Sequence, residues 1–157
     1  MTSPLRAEAV PASVRDALSI LHAAGHEAWL VGGCVRDLLR GVAALDFDVA
    51  TSATPETVLA LFPRAVPTGI RHGTVMLPLR DGPLDVTTFR SGPTLRDDLA
   101  HRDFSVNAIA WDPLGGDVVG GRARHAAGGP RCAPPGRRDR TTRRPLPSRI
   151  TPSNWSL

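Results

Sequence analysis

Lysine is missing from this chain: all 19 of its basic residues are arginine. Cysteine is nearly missing, with only Cys34 and Cys132 in 157 residues. Two thiols are too few for a disulfide scaffold, which excludes a stapled secreted mini-protein. No window of 18 apolar residues occurs, which excludes a membrane-spanning helix. The opening MTSPLRAEAV lacks an apolar signal core, so export is not expected. A reducing cytoplasmic setting, with no membrane and no disulfide, is the expectation that remains. Hydrophobic residues at 41% and charged residues at 22% allow one packed domain with room for a tail.

The charge is unevenly placed. The whole chain carries a formal +4, and a basic chain usually meets nucleic acid, nucleotide or an anionic surface. Residues 1–118 hold ten Arg against fourteen Asp and Glu, a net −4. Residues 119–157 hold nine Arg against the single acid Asp139, a net +8. From Gly120 onward six prolines occur and no apolar periodicity is present. Such a stretch cannot bury enough surface to offset its ordering entropy. The expectation is a folded unit over 1–118 and a disordered basic tail over 119–157.

Within the folded unit, helical and extended signals alternate. Val14, Ala17, Leu18 and Leu21 recur at helical spacing, predicting a helix over roughly 10–24 that Gly25 stops. Glu27 to Val31 reads as a strand running into Gly32-Gly33, followed by a short helix from Cys34 to Arg40. Asp46 to Thr51 alternates with period two and reads as a strand. Thr54-Pro55-Glu56 reads as a helix start running to about Phe62. Gly73 to Arg80 and Leu84 to Arg90 flank Asp81-Gly82-Pro83, a hairpin with its turn there. Asp103 to Ala110 reads as a short helix with Asp103 as its cap. The expected class is α/β (α+β).

Three segments could carry chemistry. Gly32 and Gly33 lie between a strand and a helix, with Arg36 and Asp37 one turn on. Glycines allow close backbone approach, N–H groups at a helix start favour phosphate, and Arg36 could fork onto a phosphate oxygen. A glycine pair by itself reads more readily as a tight strand–helix turn. Asp46-Phe47-Asp48 places two carboxylates at i and i+2, on one side of a strand. Two acids so close repel unless a cation lies between them, and Mg²⁺ suits carboxylates combined with phosphates. With Leu45, Phe47 and Val49 apolar, the strand is expected to be half-buried. Asp85 could add a third carboxylate to a two-metal site, although a plain strand-start acid reads the same way. In the third segment, His101 to Ala108, Arg102 is a candidate phosphate contact and Asn107 a candidate inward hydrogen-bonding group. A glycine turn with Arg, a nearby D-x-D and an Arg-Asp segment together describe a phosphate cradle beside a metal site.

The ordered set VGGCVRDLLRG, LDFDVATSATPETVLALFP, PTGIRHGTV, DVTTFR and HRDFSVNAIAWDP, over about residues 28–113, closely resembles the class II tRNA nucleotidyltransferases. These are the CCA-adding enzymes, with bacterial poly(A) polymerases as near relatives. The resemblance implies a head domain with a mixed sheet and helices on one side. It implies template-independent transfer of CMP and AMP from CTP and ATP to the 3′ end of tRNA, with Mg²⁺. Asp46 and Asp48 match the metal-binding, catalytic pair, and Gly33 and Arg36 match nucleotide contacts with Gly32 beside them. Arg102 matches the second Arg of an R-R-D segment, a nucleotide contact, and Asp103 and Asn107 match the rest of it. Asp85 lies where relatives carry an acid before T-T-F-R. The implied organisation is an N-terminal helix over 1–26, the head over 27–118 and the tail over 119–157. An alternative is a poly(A) polymerase head. Another is a non-catalytic RNA-binding module using the Arg tail, in which Trp155 is the lone aromatic for stacking.

The chain departs from the family pattern in four places. His101 replaces the first Arg of R-R-D. The stretch Thr88 to Leu99 is shorter than in many relatives, where a flexible loop assists CCA addition. No E-D-x-x-R segment for base reading follows, and the neck, body and tail domains have no counterpart. Similarity ends soon after Asp112-Pro113. The expectation is a truncated head with impaired activity, its tail read out of frame from a GC-rich gene after about Val119. The lysine-free composition fits such a gene.

Overall fold

The computed structural model describes residues 5–102 and 107–120. Helix α1 spans Ala12–Ala23 and buries Val14, Ala17, Leu18 and Leu21, the stripe that the spacing predicts. Gly25 ends it at φ +88°, a left-handed conformation that glycine adopts without strain. Strand β1 follows over Ala28–Val31, helix α2 over Gly33–Leu39 and strand β2 over Phe47–Thr51. Helix α3 spans Pro55–Leu61, with the Thr54 hydroxyl accepting from the Thr57 N–H at its start. Strands β3 (Val66–Gly69), β4 (Thr74–Leu79) and β5 (Gly82–Thr88) come next. Helix α4 (Leu95–Ala100) and strands β6 (Ile109–Trp111) and β7 (Val118–Gly120) complete the described chain.

The seven strands form one mixed sheet in the order β3-β4-β5-β2-β1-β6-β7. Every neighbouring pair is antiparallel except β2 with β5, which run parallel. The alternation of each strand then separates two faces. Ala28 and Leu30 of β1, Phe47 and Val49 of β2, Val75 and Leu77 of β4, and Leu84 and Val86 of β5 join the buried stripes of α1, α2 and α3. The opposite face is only partly covered. There Leu95 and Leu99 of α4 pack on Val31, Ala50 and Ala110. Three of the four helices therefore share one face, as the resemblance implies, and α4 sits on the other.

Four local expectations need correction. Ile109 and Ala110 belong to a strand rather than a helix, because β1 recruits them: Leu30 pairs with Trp111 and Val31 with Ala110. The rest of that expected helix start, including Asp103, lies outside the described residues. The helix present instead is α4, whose Thr94 and Asp97 form a reciprocal capping box. The hairpin turn is also displaced. Leu79 pairs with Gly82 and Pro78 with Pro83, so Arg80-Asp81 is the loop and Gly82-Pro83 lie in β5. Asp81 is tied down by the Ser13 hydroxyl, which donates to it at 2.6 Å. Finally, β2 begins at Phe47, and Leu45 before it is 90% exposed. Strand β7 carries the sheet to Gly120, two residues beyond the expected limit of the head. The expected tail from 121 onward lies outside the described residues.

Candidate active site

The site is built on the partly covered face. In the parallel pairing of β2 with β5, Asp48 stands directly beside Asp85, about 5 Å apart in the ladder direction. Val31 flanks Asp48 on the other side through the antiparallel β1 register. A cleft of about 230 Å³ opens over this row, lined by Val31, Asp48, Thr74, Asp85, Arg90 and Arg102 among others. The register therefore settles that Asp85 belongs with Asp48.

Asp46 lies one residue ahead of β2 and does not line the cleft, but Asp48 feels its charge. The Asp48 carboxyl is held above its ordinary value, first by desolvation and then by the negative charge of Asp85. Arg102 offsets part of this, and Asp46 adds to it. Three acids thus load one spot with negative charge that a single guanidinium does not cancel. A divalent cation fits such a spot. No group of three or more His, Cys, Asp or Glu side chains stands in ligating arrangement among the described residues. A cation here would draw on the two or three carboxylates together with ligand phosphates and water, the usual mode for Mg²⁺.

The two glycines make the turn from β1, whose Val31 pairs with Asp48, into α2. Gly32 has φ +79° and ψ −138°, a region that is nearly glycine-only. Its N–H still donates to the Ile109 carbonyl at 3.1 Å, which ties the turn to β6. A Cβ on Gly32 would stand 4.0 Å from Nη1 of Arg102, and one on Gly33 3.5 Å from Nη2 of Arg36. Those distances are tolerable, so at Gly32 it is the backbone conformation that demands glycine.

Arg36 is held at both ends of its head. Its Nε donates to Asp37 at 2.9 Å and its Nη1 to Asn107 Oδ1 at 3.1 Å. Asn107 is thus a partner of Arg36, brought from 71 positions away. Arg102 donates through Nε and Nη2 to Asp98. The structure therefore gathers Asp48, Asp85 and Arg102 around one cleft, with Asp46 at its edge, Gly32 close to Arg102, and Gly33, Arg36 and Asn107 in an adjoining group. Asp103 lies outside the described residues. Sequence reasoning missed Asp98, Arg90, Thr74 and Thr87. Asp98 had a readable signal, an acid four positions before Arg102 in a helical stretch. Thr74 and Thr87 bond to each other at 3.0 Å across β4 and β5, a pairing that only the register creates.

Cys34 sits under this turn as a buried free thiol, donating to the Val31 carbonyl at 3.3 Å. Burial pushes its pKa up, so it stays a protonated packing group.

Residues 28–124 match the model of the family described as the Poly A polymerase head domain. The chain belongs to that family. Among curated relatives, the CCA-adding enzyme of Anoxybacillus flavithermus is 44% identical over 127 residues, covering 65% of this chain and 32% of its own. The solved Bacillus stearothermophilus CCA-adding enzyme in complex with CTP superimposes with a TM-score of 0.64 at 38% identity, covering 76% of this chain and 30% of that one. A tRNA nucleotidyltransferase complexed with a primer tRNA and an incoming ATP analog gives a TM-score of 0.57 at 28% identity, covering 66% and 34%. The chain thus spans about a third of the length of the curated relatives it matches. No helix among its described residues is long and apolar enough to cross a membrane.

Proposed function

We propose that this head domain performs template-independent nucleotidyl transfer, adding CMP and AMP from CTP and ATP to the 3′ end of tRNA. The carrying observation is the placement of Asp48 beside Asp85, with Asp46 at the edge and Arg102 across the cleft. That arrangement suits a Mg-triphosphate, with the attacking group supplied by the second substrate, the tRNA 3′ end. Mg²⁺, when bound, neutralises the triphosphate and activates the attacking 3′-hydroxyl. Asp46 and Asp48 hold the cation, with Asp85 as the third acid. Arg102 and Arg36 bind phosphate oxygens and stabilise charge on the leaving pyrophosphate. Gly32 and Gly33, the floor of the turn, let the nucleotide approach the backbone, and Asn107 keeps Arg36 aligned. Most of the acceleration then comes from positioning and from charges fixed in advance. On this reading the reaction takes place in the cytoplasm.

The test is incorporation of labelled CMP and AMP by the purified chain, with Mg²⁺, on tRNA lacking its 3′ end. CMP incorporation that disappears in Asp46→Ala is the expected result. AMP-only, repetitive addition would favour a poly(A) polymerase head instead. No incorporation and no Mg·CTP binding would sink the reading. An RNA-binding module resting on the basic tail makes a different prediction: deleting 120–157 should weaken RNA binding and flatten its salt dependence.

A further inference from the structure

Arg102 is held in place before any ligand arrives. Asp98, on α4, is only 2% exposed. Its Oδ2 accepts from Nε and Nη2 of Arg102 at 3.0 and 2.9 Å. Its Oδ1 accepts the backbone N–H of Arg90 at 2.9 Å. One buried carboxylate therefore joins α4 to the segment after β5, and both arginines it touches line the cleft. Among the described residues Nη1 of Arg102 has no hydrogen-bond partner, and it is the atom poised above Gly32. The guanidinium thus presents one free edge to the cleft while its other edge is fixed.

This geometry has two physical consequences. A free arginine side chain loses rotamer freedom when a ligand immobilises it, and a head locked in advance spares the ligand most of that cost. The buried Asp98 in turn depends on Arg102, because a buried carboxylate without its partner is strongly destabilising.

We propose that Asp98 is a positioning residue for nucleotide binding: it aims Nη1 of Arg102 at the triphosphate and pins Arg90 to the rim of the same cleft. This rests on the nucleotidyl-transfer reading and adds a residue to it. In Asp98→Asn the amide oxygen can still accept the Arg90 N–H, so the loss runs through Arg102 and should vanish when Arg102 is gone.

The experiment measures Mg·CTP affinity by calorimetry on the full chain, for wild type, Asp98→Asn, Arg102→Gln and the double variant. Asp98→Asn should weaken binding by about tenfold to a hundredfold, the scale of a lost hydrogen bond to a charged group. The double variant should bind within about twofold of Arg102→Gln, because residues acting as one unit are not additive. Wild-type-like binding by Asp98→Asn, or multiplying losses in the double variant, overturns the proposal. If Asp98→Asn does not fold, Arg102→Lys decides. It keeps a charge opposite Asp98 but has no second edge to present, so it should lose nearly as much affinity as Arg102→Gln. Retained affinity in Arg102→Lys overturns the proposal. A readout without nucleotide separates the two readings. The Arg102 Nε–H should exchange slowly with solvent in wild type by NMR, and fast exchange overturns the positioning role alone. Wild type that fails to bind Mg·CTP overturns the nucleotidyl-transfer reading and this one with it.

Discussion

The two faces of the sheet are made from alternate residues of the same strands, yet they obey opposite rules. On the covered face, Leu30, Phe47, Val49, Leu84 and Val86 are sealed beneath α1, α2 and α3. On the other face, their immediate neighbours Asp48 and Asp85 crowd together and raise each other's energy. The covered face holds the fold. The open face stores electrostatic strain at Asp48. Stability and function are thus separated by one residue of strand period, about 3.3 Å of chain.

The largest expected effect lies on the covered face. Leu84→Ala removes a side chain that is 0% exposed and should lower stability by about 2–5 kcal/mol, read by urea denaturation. A small loss there would mean that this face is not the stabilising one. Next is Asp48→Ala on the open face. Nucleotide incorporation should drop on the order of 10²–10³-fold, the scale of removing one preorganised electrostatic group, with no loss of stability in the same denaturation assay. Destabilisation comparable to Leu84→Ala would erase the contrast between the faces.

Gly32→Ala tests the boundary between them. With φ at +79°, any Cβ is strained there, and the cost should be about 1–3 kcal/mol. Activity should fall together with stability, because the same turn carries the floor under Arg102. The smallest effect is the pH dependence of the open face. Asp48 has its folded-state pKa above the ordinary 3.8, so between those values the folded chain holds more protons than the unfolded one. Stability from this group therefore falls as pH rises through that window. Asp48→Asn should melt higher than wild type at neutral pH without Mg²⁺, and the gain should disappear below the ordinary carboxylate range. Added Mg²⁺ should raise the melting temperature of wild type and not of Asp48→Asn. A wild type that gains stability on deprotonation would reverse the sign and remove the strain from the open face.

Much of this was legible before folding, because the signals were local. The α1 stripe, the Gly25 stop and the Thr54 cap each depend on residues within a few positions of one another. What escaped was non-local. Ile109 to Trp111 carries too short an apolar run to declare itself a strand, and becomes one only because β1 offers an edge. Strand β3, with Pro67 and Gly69 and almost no burial, has weak intrinsic preference and exists as the edge partner of β4. Helix α4 carries a local signal in the Thr94 and Asp97 capping box, but at six residues it is too short for a hydrophobic period to show. The overall charge was the least instructive feature, since the chemistry lies in a net-acidic region.

The sequence by itself determined the residue types, their local periods and the order of the motifs: the glycine turn, the paired acids and the arginines. Those follow from short-range backbone preference and from chemistry that each side chain carries anywhere. Only the tertiary structure decided that Asp85 would stand beside Asp48, that Asn107 would hold Arg36 from 71 positions away, and that Asp98 would lock Arg102 while gripping Arg90. Strand register makes those choices. It is set by burial of the apolar face, where a slip of one residue would turn every carboxylate into the core.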